Sequence, residues 1–337
     1  MTEDQRWLGA MREALALAAS PDAPHGENPR VGCVVVDEGG SAVGRGFHRG
    51  AGTPHAEVVA LHDAGDRARG ATAVVTLEPC RHVGRTGPCT SALIEAGVAR
   101  VVIAQPDPTE IAGGGAEVLR SAGIDVVMGV LSDEAAELND DWTFAVTHGR
   151  PLVTWKAAVS IDGRVAGPDR GPTAITRQPA RDEVMHLRSR VGAIIVGTGT
   201  VLADDPALTV RAPAQVVGLA PLRVVVGSRS LPPNSRVLDD SAPTLLTGER
   251  DPSVLLARLF ERGVRHVLME GGPTLARAFL EAEMVDRVVW YVAPVILGDG
   301  PVALPPLRRG PVGVDVTGIR TVGEDVCIQG EIRYEER

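Results

Sequence analysis

Two consecutive α/β domains are the fold that this amino-acid sequence predicts. With 337 residues the chain is longer than a single hydrophobic core usually serves. β-rich apolar runs alternate with helix-length segments through both halves. Between the halves lies the turn-rich stretch Thr147-His148-Gly149-Arg150-Pro151, after which a fresh β-rich run begins at Leu152. The boundary is therefore expected between 141 and 151, separating a domain over 1–147 from one over 148–337.

The first half opens with a helix over 3–19 and strands over 31–36 and 42–46. Thr53-Pro54 has the form of an N-cap followed by proline in a first turn, and Val58, Val59 and Leu61 carry that helix onward. A strand over 73–77 ends at Glu78-Pro79. Pro88 opens a helix over 89–96, which Gly97 closes. A strand over 100–104, a helix over 116–122 and a short strand over 125–128 complete the half, with Gly113-Gly114-Gly115 as a loop. This order predicts an α/β sandwich with a largely parallel central region.

In the second half the strands fall over 152–159, 193–197, 223–226, 264–270 and 287–296. Helices fall over 178–190, 252–262 and 274–282. A closing strand over 326–332 would make the sheet mixed.

Composition narrows the function. A hydrophobic fraction of 44% with 23% charged residues is that of an ordinary soluble globular protein. No apolar run is as long as a membrane span, and the first residues lack a secretory signal pattern, so a cytoplasmic protein is expected. A net charge of −9 opposes nucleic acid as partner, because phosphate neutralisation needs a basic face. Aromatic residues make up 3% of the chain, which leaves little for stacking bases. Cys33 and Cys327 are expected as buried free thiols in a reducing compartment. The sequence leaves a homo-oligomer open.

One set of residues carries chemistry by itself. His55-Ala56-Glu57, Pro79-Cys80 and Cys89 have the form H-x-E…P-C…C found in zinc nucleobase deaminases, with a longer interval between the cysteines than the short form has. His55, Cys80 and Cys89 would bind zinc and leave a fourth tetrahedral position open for water. Glu57 would not be a ligand; it would pass a proton between the attacking water and the substrate. Helix N-termini near His55 and Cys89 favour thiolate over thiol.

Two glycine-bearing turns mark a second candidate site. Gly197-Thr198-Gly199-Thr200 and Glu270-Gly271-Gly272-Pro273-Thr274 each follow a strand, where backbone N–H groups can receive phosphate. Neither has the G-x-G-x-x-G spacing of a Rossmann fingerprint. Ser228 and Arg229 follow the strand over 223–226, where they would suit an adenosine 2′-phosphate.

Several motifs together resemble the riboflavin-biosynthesis bifunctional deaminase–reductase family. They are Asn28-Pro29-Arg30-Val31-Gly32, His55-Ala56-Glu57, Leu77-Glu78-Pro79-Cys80-Arg81-His82 and Gly84-Arg85-Thr86-Gly87-Pro88-Cys89 in the first half. Ser160-Ile161-Asp162-Gly163, Thr200-Val201-Leu202-Ala203-Asp204-Asp205-Pro206 and Glu270-Gly271-Gly272 follow in the second. The resemblance implies an N-terminal cytidine-deaminase-like α/β/α domain and a C-terminal dihydrofolate-reductase-like α/β domain. It implies two steps: zinc-dependent hydrolytic deamination of a diaminopyrimidinone ribosylamino 5′-phosphate, then NADPH reduction of its ribosyl group to a ribityl chain. By the same resemblance Asn28, His48, His82 and Arg85 hold the pyrimidine and phosphate. Ala158, Thr200, Asp204, Ser228 and the run Gly272, Pro273, Thr274, Leu275, Ala276, Arg277 and Ala278 match cofactor positions. Lys156, Arg188, Leu208, Arg211 and Glu270 match substrate positions in the second domain.

The chain departs from the family pattern at Pro172 and Ala174, where the family has serine and tryptophan, and lacks a lysine between the last glycines of 107–115. Those departures keep a second reading open, a deaminase whose degenerate second domain only binds ligand or mediates assembly. Taken without the resemblance, Arg85 is equally a surface arginine, Arg188 an exposed helix residue and Asp204 a helix cap in a common Asp-Asp-Pro turn sequence.

Overall fold

The computed structural model describes residues 3–23, 25–82, 87–169, 174–211, 220–308 and 310–334. Its contacts divide the chain into one unit over Met1–His148 and another over Gly149–Arg337. None of the described helices is long and apolar enough to cross a membrane.

The first unit runs α1 (Glu3–Ala18), β1 (Gly32–Val36), β2 (Ala42–Phe47), α2 (Ala56–Ala64), β3 (Thr72–Leu77) and α3 (Cys89–Ala96). It continues with β4 (Arg100–Gln105), α4 (Gly115–Ser121), β5 (Asp125–Met128), α5 (Ser132–Leu138) and α6 (Asp140–His148). Its sheet has the order β2-β1-β3-β4-β5. β1 pairs antiparallel with both β2 and β3, and only β3, β4 and β5 run parallel, so the sheet is mixed rather than largely parallel. Apolar residues bury on both faces: Trp7, Met11 and Ala14 of α1 on one, Ala56, Ala60 and Leu93 of α2 and α3 on the other. Close packing of α2 on β2 depends on glycine. A Cβ at Gly46 would lie 2.3 Å from the carbonyl oxygen of Ala56, so any side chain there would push the helix away from the sheet. That contact seats the start of α2, and with it His55 and Glu57.

The second unit runs β6 (Leu152–Ser160), α7 (Gln178–Ser189), β7 (Ala193–Gly197), α8 (Thr198–Asp204), β8 (Leu222–Val226), β9 (Thr244–Thr247) and α9 (Pro252–Glu261). Then come β10 (His266–Met269), α10 (Pro273–Glu281), β11 (Arg287–Ala293), β12 (Gly313–Val322) and β13 (Asp325–Arg333). The sheet order is β12-β13-β11-β6-β10-β7-β8-β9. From β11 to β9 neighbouring strands are parallel, and β13 and β12 add antiparallel. Parallel strands buried on both faces explain the continuous aliphatic runs Ala193–Val196 and Val224–Val225. In an open parallel sheet, ligands collect outside the carboxyl ends of the strands; here those ends carry the two glycine-bearing turns.

Several elements differ from the sequence expectation. Helix α2 begins at Ala56 with His55 as its N-cap, two residues later than Thr53-Pro54 suggests, and Pro88 caps α3 from outside. Helices α5, α6 and α8 and strands β9 and β12 were not anticipated. β12 is exposed along most of its length, so it lacks the alternation by which strands are recognised. The four cysteines are free and buried.

Candidate active sites

In the first unit three elements bring the predicted zinc ligands together. The ligand atoms of His55, Cys80 and Cys89 lie within 4.8 Å of one another. Nδ1 of His55 is 3.1 Å from Sγ of Cys89 and 3.6 Å from Sγ of Cys80. Two ligands of one tetrahedral zinc stand roughly 3.6 Å apart for sulfur and nitrogen donors, so this donor set fits the ion. The electrostatics agree. Hydrogen bonds from Cys89 and His55 hold the Cys80 thiol down at about 4, whereas the neighbouring Cys80 pushes Cys89 up.

Glu57 projects from the first turn of α2 and is 3% exposed. Burial raises its carboxyl above the usual carboxylate range, which suits a group that must both accept and return a proton. Beside His55, whose ring lies edge-on to that of His48, Nε2 of His48 accepts from Nδ2 of Asn28 at 2.8 Å, and Nδ1 donates to the Pro54 carbonyl at 3.2 Å. Those bonds define the neutral tautomer, and burial lowers the His48 pKa accordingly. Nδ1 of His82 is buried and has no hydrogen-bond partner among the described residues. Arg85 lies outside the described residues.

Glu78 is a contributor that the sequence reading missed. Its buried carboxylate accepts from the N–H of Asp107 at 3.1 Å and of Ala116 at 2.8 Å. It thereby ties the 107–116 segment beside Pro79 and Cys80. Gly115 permits the contact, since a Cβ there would lie 1.9 Å from the Pro79 carbonyl oxygen. The glycine run Gly113–Gly115 is thus a packing device as well as a loop.

In the second unit a cleft of 1120 Å³ opens at the carboxyl ends of the parallel strands, slightly larger than the roughly 300–1,000 Å³ usual for ligand sites. Lys156, Ala158, Arg188, Thr200, Asp204, Arg211, Ser228, Gly272, Pro273, Thr274, Leu275, Ala278 and Glu270 line it. Three expected residues do not. Ala276 and Leu208 are buried in apolar clusters, and Arg277 pairs with Glu281 at 2.9 Å. The helical period explains two of them: α10 turns 276 to the sheet and 277 away while 274, 275 and 278 face the cleft.

At the floor, Glu270 accepts from Nε of Arg188 at 2.6 Å, from its Nη2 at 3.1 Å and from Nζ of Lys156 at 3.2 Å. Burial works to raise the Glu270 carboxyl, but Lys156 and Arg188 outweigh it and hold it at about 2. Arg188 also donates to the Thr209 carbonyl at 3.1 Å, so it is a buried brace rather than an exposed helix residue. Asp204 ends α8 facing the cleft, and burial raises its carboxyl.

The glycine turns are less open than the sequence suggests. Thr200 Oγ1 already takes the N–H of Gly272 at 3.3 Å, and the N–H groups of Leu275 and Ala276 return to the Gly272 carbonyl. Arg229 lies over the other turn, its Nε on Thr198 Oγ1 at 3.4 Å. Arg181 and Arg250 also line the cleft and were missed. Arg181 was findable, because it precedes Arg188 by two helical turns on one face of α7. Six cations against Asp204 and Glu270 make this a receptacle for a multiply charged anion, and NADPH fits that description.

The two sites describe a zinc deaminase domain joined to a reductase domain of the nucleotide-binding kind. Residues 2–105 match the cytidine and deoxycytidylate deaminase zinc-binding region, and residues 151–328 match the RibD C-terminal domain. The chain belongs to the riboflavin biosynthesis protein RibD family. It is 51% identical to riboflavin biosynthesis protein RibD of Mycobacterium tuberculosis, over 81% of this chain and 80% of that one. Among solved structures it resembles Acinetobacter baumannii RibD with a TM-score of 0.90 and 35% identity, covering 98% of this chain and 100% of that chain. It also resembles a Thermotoga maritima diaminohydroxyphosphoribosylaminopyrimidine deaminase/5-amino-6-(5-phosphoribosylamino)uracil reductase. That match has a TM-score of 0.85 and 31% identity, covering 97% of this chain and 99% of that chain.

Proposed function

We propose that this protein carries out two consecutive steps of riboflavin biosynthesis. The first unit replaces the 2-amino group of 2,5-diamino-6-ribosylamino-4(3H)-pyrimidinone 5′-phosphate by oxygen and releases ammonia. The second reduces the ribosyl group to give 5-amino-6-ribitylamino-uracil 5′-phosphate. The observation that carries the reading is the convergence of His55, Cys80 and Cys89 beside the buried carboxylate of Glu57.

His55, Cys80 and Cys89 would hold zinc, which supplies Lewis acidity and lowers the pKa of water. Glu57 would take one proton from the attacking water and give it to the pyrimidine ring, then take the second proton from the same oxygen and give it to the departing amine, which leaves as ammonia. Asn28, held on His48, offers its remaining oxygen to the ring, and the unpartnered Nδ1 of His82 is available for a polar group of the substrate. Arg85 belongs to the same proposal as a phosphate ligand.

NADPH would lie in the cleft of the second unit and supply hydride for C1 of the ribosyl group. Thr200, Ser228, Arg229 and the Gly272–Thr274 turn would hold its phosphates. Glu270 pairs with Lys156 and Arg188 and fixes them, so that Lys156 can hold or deliver a proton near the reduced carbon while Arg188 and Arg211 face substrate phosphate. Leu208 and Ala276 support this wall through packing rather than contact, while Arg277 turns away and pairs with Glu281. Ala174, which lines the cleft, offers a smaller wall than an aromatic residue would. Buried free cysteines suit the reducing cytoplasm, where we place the protein.

The test of the first step is ammonia release from the diaminopyrimidinone phosphate by protein carrying one zinc per chain. Loss of release on chelation and its return on adding zinc are expected. Release at the full rate by metal-free protein would contradict the reading.

A further inference from the structure

The proposed deamination pocket depends on residues 25–31, which belong to no helix or strand. They bring Asn28 to within 2.8 Å of Nε2 of His48, and the Val31 carbonyl accepts from the His48 N–H at 2.9 Å. Apart from Pro29, little in their own sequence stiffens them. Bonds from outside the segment hold them, among them a pair from a residue far along the chain.

Asn139 lies at the junction of α5 and α6 and is 1% exposed. Its main chain serves the helices: its N–H bonds the Ala136 carbonyl and its carbonyl accepts from Thr143. Its side chain lies along the backbone of Arg30. Oδ1 accepts from the Arg30 N–H at 2.8 Å, and Nδ2 donates to the Arg30 carbonyl at 2.9 Å. A neighbouring strand would make the same pair of bonds; here one amide supplies both. Exchanging the amide oxygen and nitrogen would set donor against donor, so the two bonds fix its orientation. Arg30 is further tied by Nη2 to the Ser20 carbonyl at 3.1 Å.

We propose that Asn139 is a positioning residue for deamination. It fixes the backbone at Arg30 so that the Asn28 amide stays on His48 and its free oxygen meets the pyrimidine. The inference rests on the reading of Asn28 and His48 as substrate contacts. It extends that site to a residue on α5–α6 that has no place in the zinc motif.

The test uses the full-length zinc protein with four variants: Asn139→Ala, Asn139→Asp, Asn28→Ala and the Asn28→Ala/Asn139→Ala double variant. Asn139→Asp keeps the shape and the bond from the Arg30 N–H but loses the donor to the Arg30 carbonyl. Losing two buried hydrogen bonds predicts a rise in the deamination KM of roughly 10- to 100-fold for Asn139→Ala, with a smaller rise for Asn139→Asp. The deamination kcat should stay within about threefold, with zinc content and reduction of pre-deaminated substrate unchanged. Asn28→Ala should raise KM as well, and the Asn28→Ala/Asn139→Ala double variant should do little more than the larger single change, because both act through one contact. A fall in kcat and zinc content at constant KM would make Asn139 a folding residue and overturn the proposal. So would additive effects in the double variant. If Asn28→Ala leaves KM untouched, the pocket reading fails and takes the proposal with it. If Asn28→Ala raises KM and neither Asn139 variant does, only the role of Asn139 fails.

Discussion

Gly272→Asp separates the cofactor reading from the fold more cleanly than any other substitution in the second unit. Gly272 is the N-cap of α10, with φ −70° and ψ 179° and no side-chain cap. This is extended backbone that any residue adopts. A Cβ there meets only Thr200 Oγ1, at 3.6 Å, which is ordinary contact. Aspartate is moreover a favoured N-cap, so the helix should be as stable as before or more so. In the cleft the new carboxylate would stand beside the proposed pyrophosphate position. A separation of about 5 Å and an effective dielectric of about 20–40 give a repulsion of about 2–3 kcal/mol. That is a loss of roughly 30- to 150-fold in NADPH affinity. Gly272→Asn, neutral and of the same shape, should lose less than about fivefold, and Gly272→Ala should bind like the parent. NADPH fluorescence titration of the four proteins reads the affinities, and thermal melts confirm the fold. If Gly272→Asp binds NADPH as the parent does, the phosphates do not lie over this turn and the degenerate-domain reading gains.

Glu57→Gln should retain zinc and lose about 10²–10⁴-fold in deamination rate, because an amide cannot relay a proton; loss of zinc on metal analysis would make Glu57 structural. Cys89→Ser should silence deamination while sparing reduction of pre-deaminated substrate, since no residue after Gly149 belongs to the zinc set; equal loss of both reactions would refute separate sites. The Glu270 carboxyl is held at about 2 in the folded protein, against roughly 4.3 for an unperturbed glutamate. Because its folded pKa is depressed, it contributes stability that is complete above the unfolded value and is lost as pH falls towards about 2. Parent and Glu270→Gln should therefore differ by about 2–4 kcal/mol in urea unfolding of the second unit at pH 7. The gap should narrow below pH 5, and a pH-independent gap would deny the ion pairs their role.

The zinc site was legible in the sequence because its chemistry is local. His55, Glu57, Cys80 and Cys89 sit at element ends that Pro54, Pro79, Pro88 and Gly97 punctuate. The cleft was legible only in part. Glycine turns announce a backbone path, but whether their N–H groups are free depends on Thr200, 72 residues from Gly272. The same holds for Arg188, whose burial comes from pairing with Glu270, 82 residues away. Leu208 shows the reverse case. A motif position suggests contact, while its side chain is a core residue at 2% exposure with φ 51°. Short helices such as α5 gave no periodic signal, and with them went Asn139, whose partner lies 109 residues earlier.

If one chain performs both steps, ammonia and NADPH must be exchanged in a fixed ratio, which a direct measurement of their stoichiometry reads. Purified zinc protein is given the diaminopyrimidinone ribosylamino phosphate, with and without NADPH, and both species are followed over time. Without NADPH, ammonia should appear and the aminouracil ribosylamino phosphate should accumulate. With NADPH, one equivalent should be oxidised per ammonia released and the ribityl product should form. Full ammonia release with no NADPH oxidised would contradict the account and leave the protein a deaminase with a silent second domain.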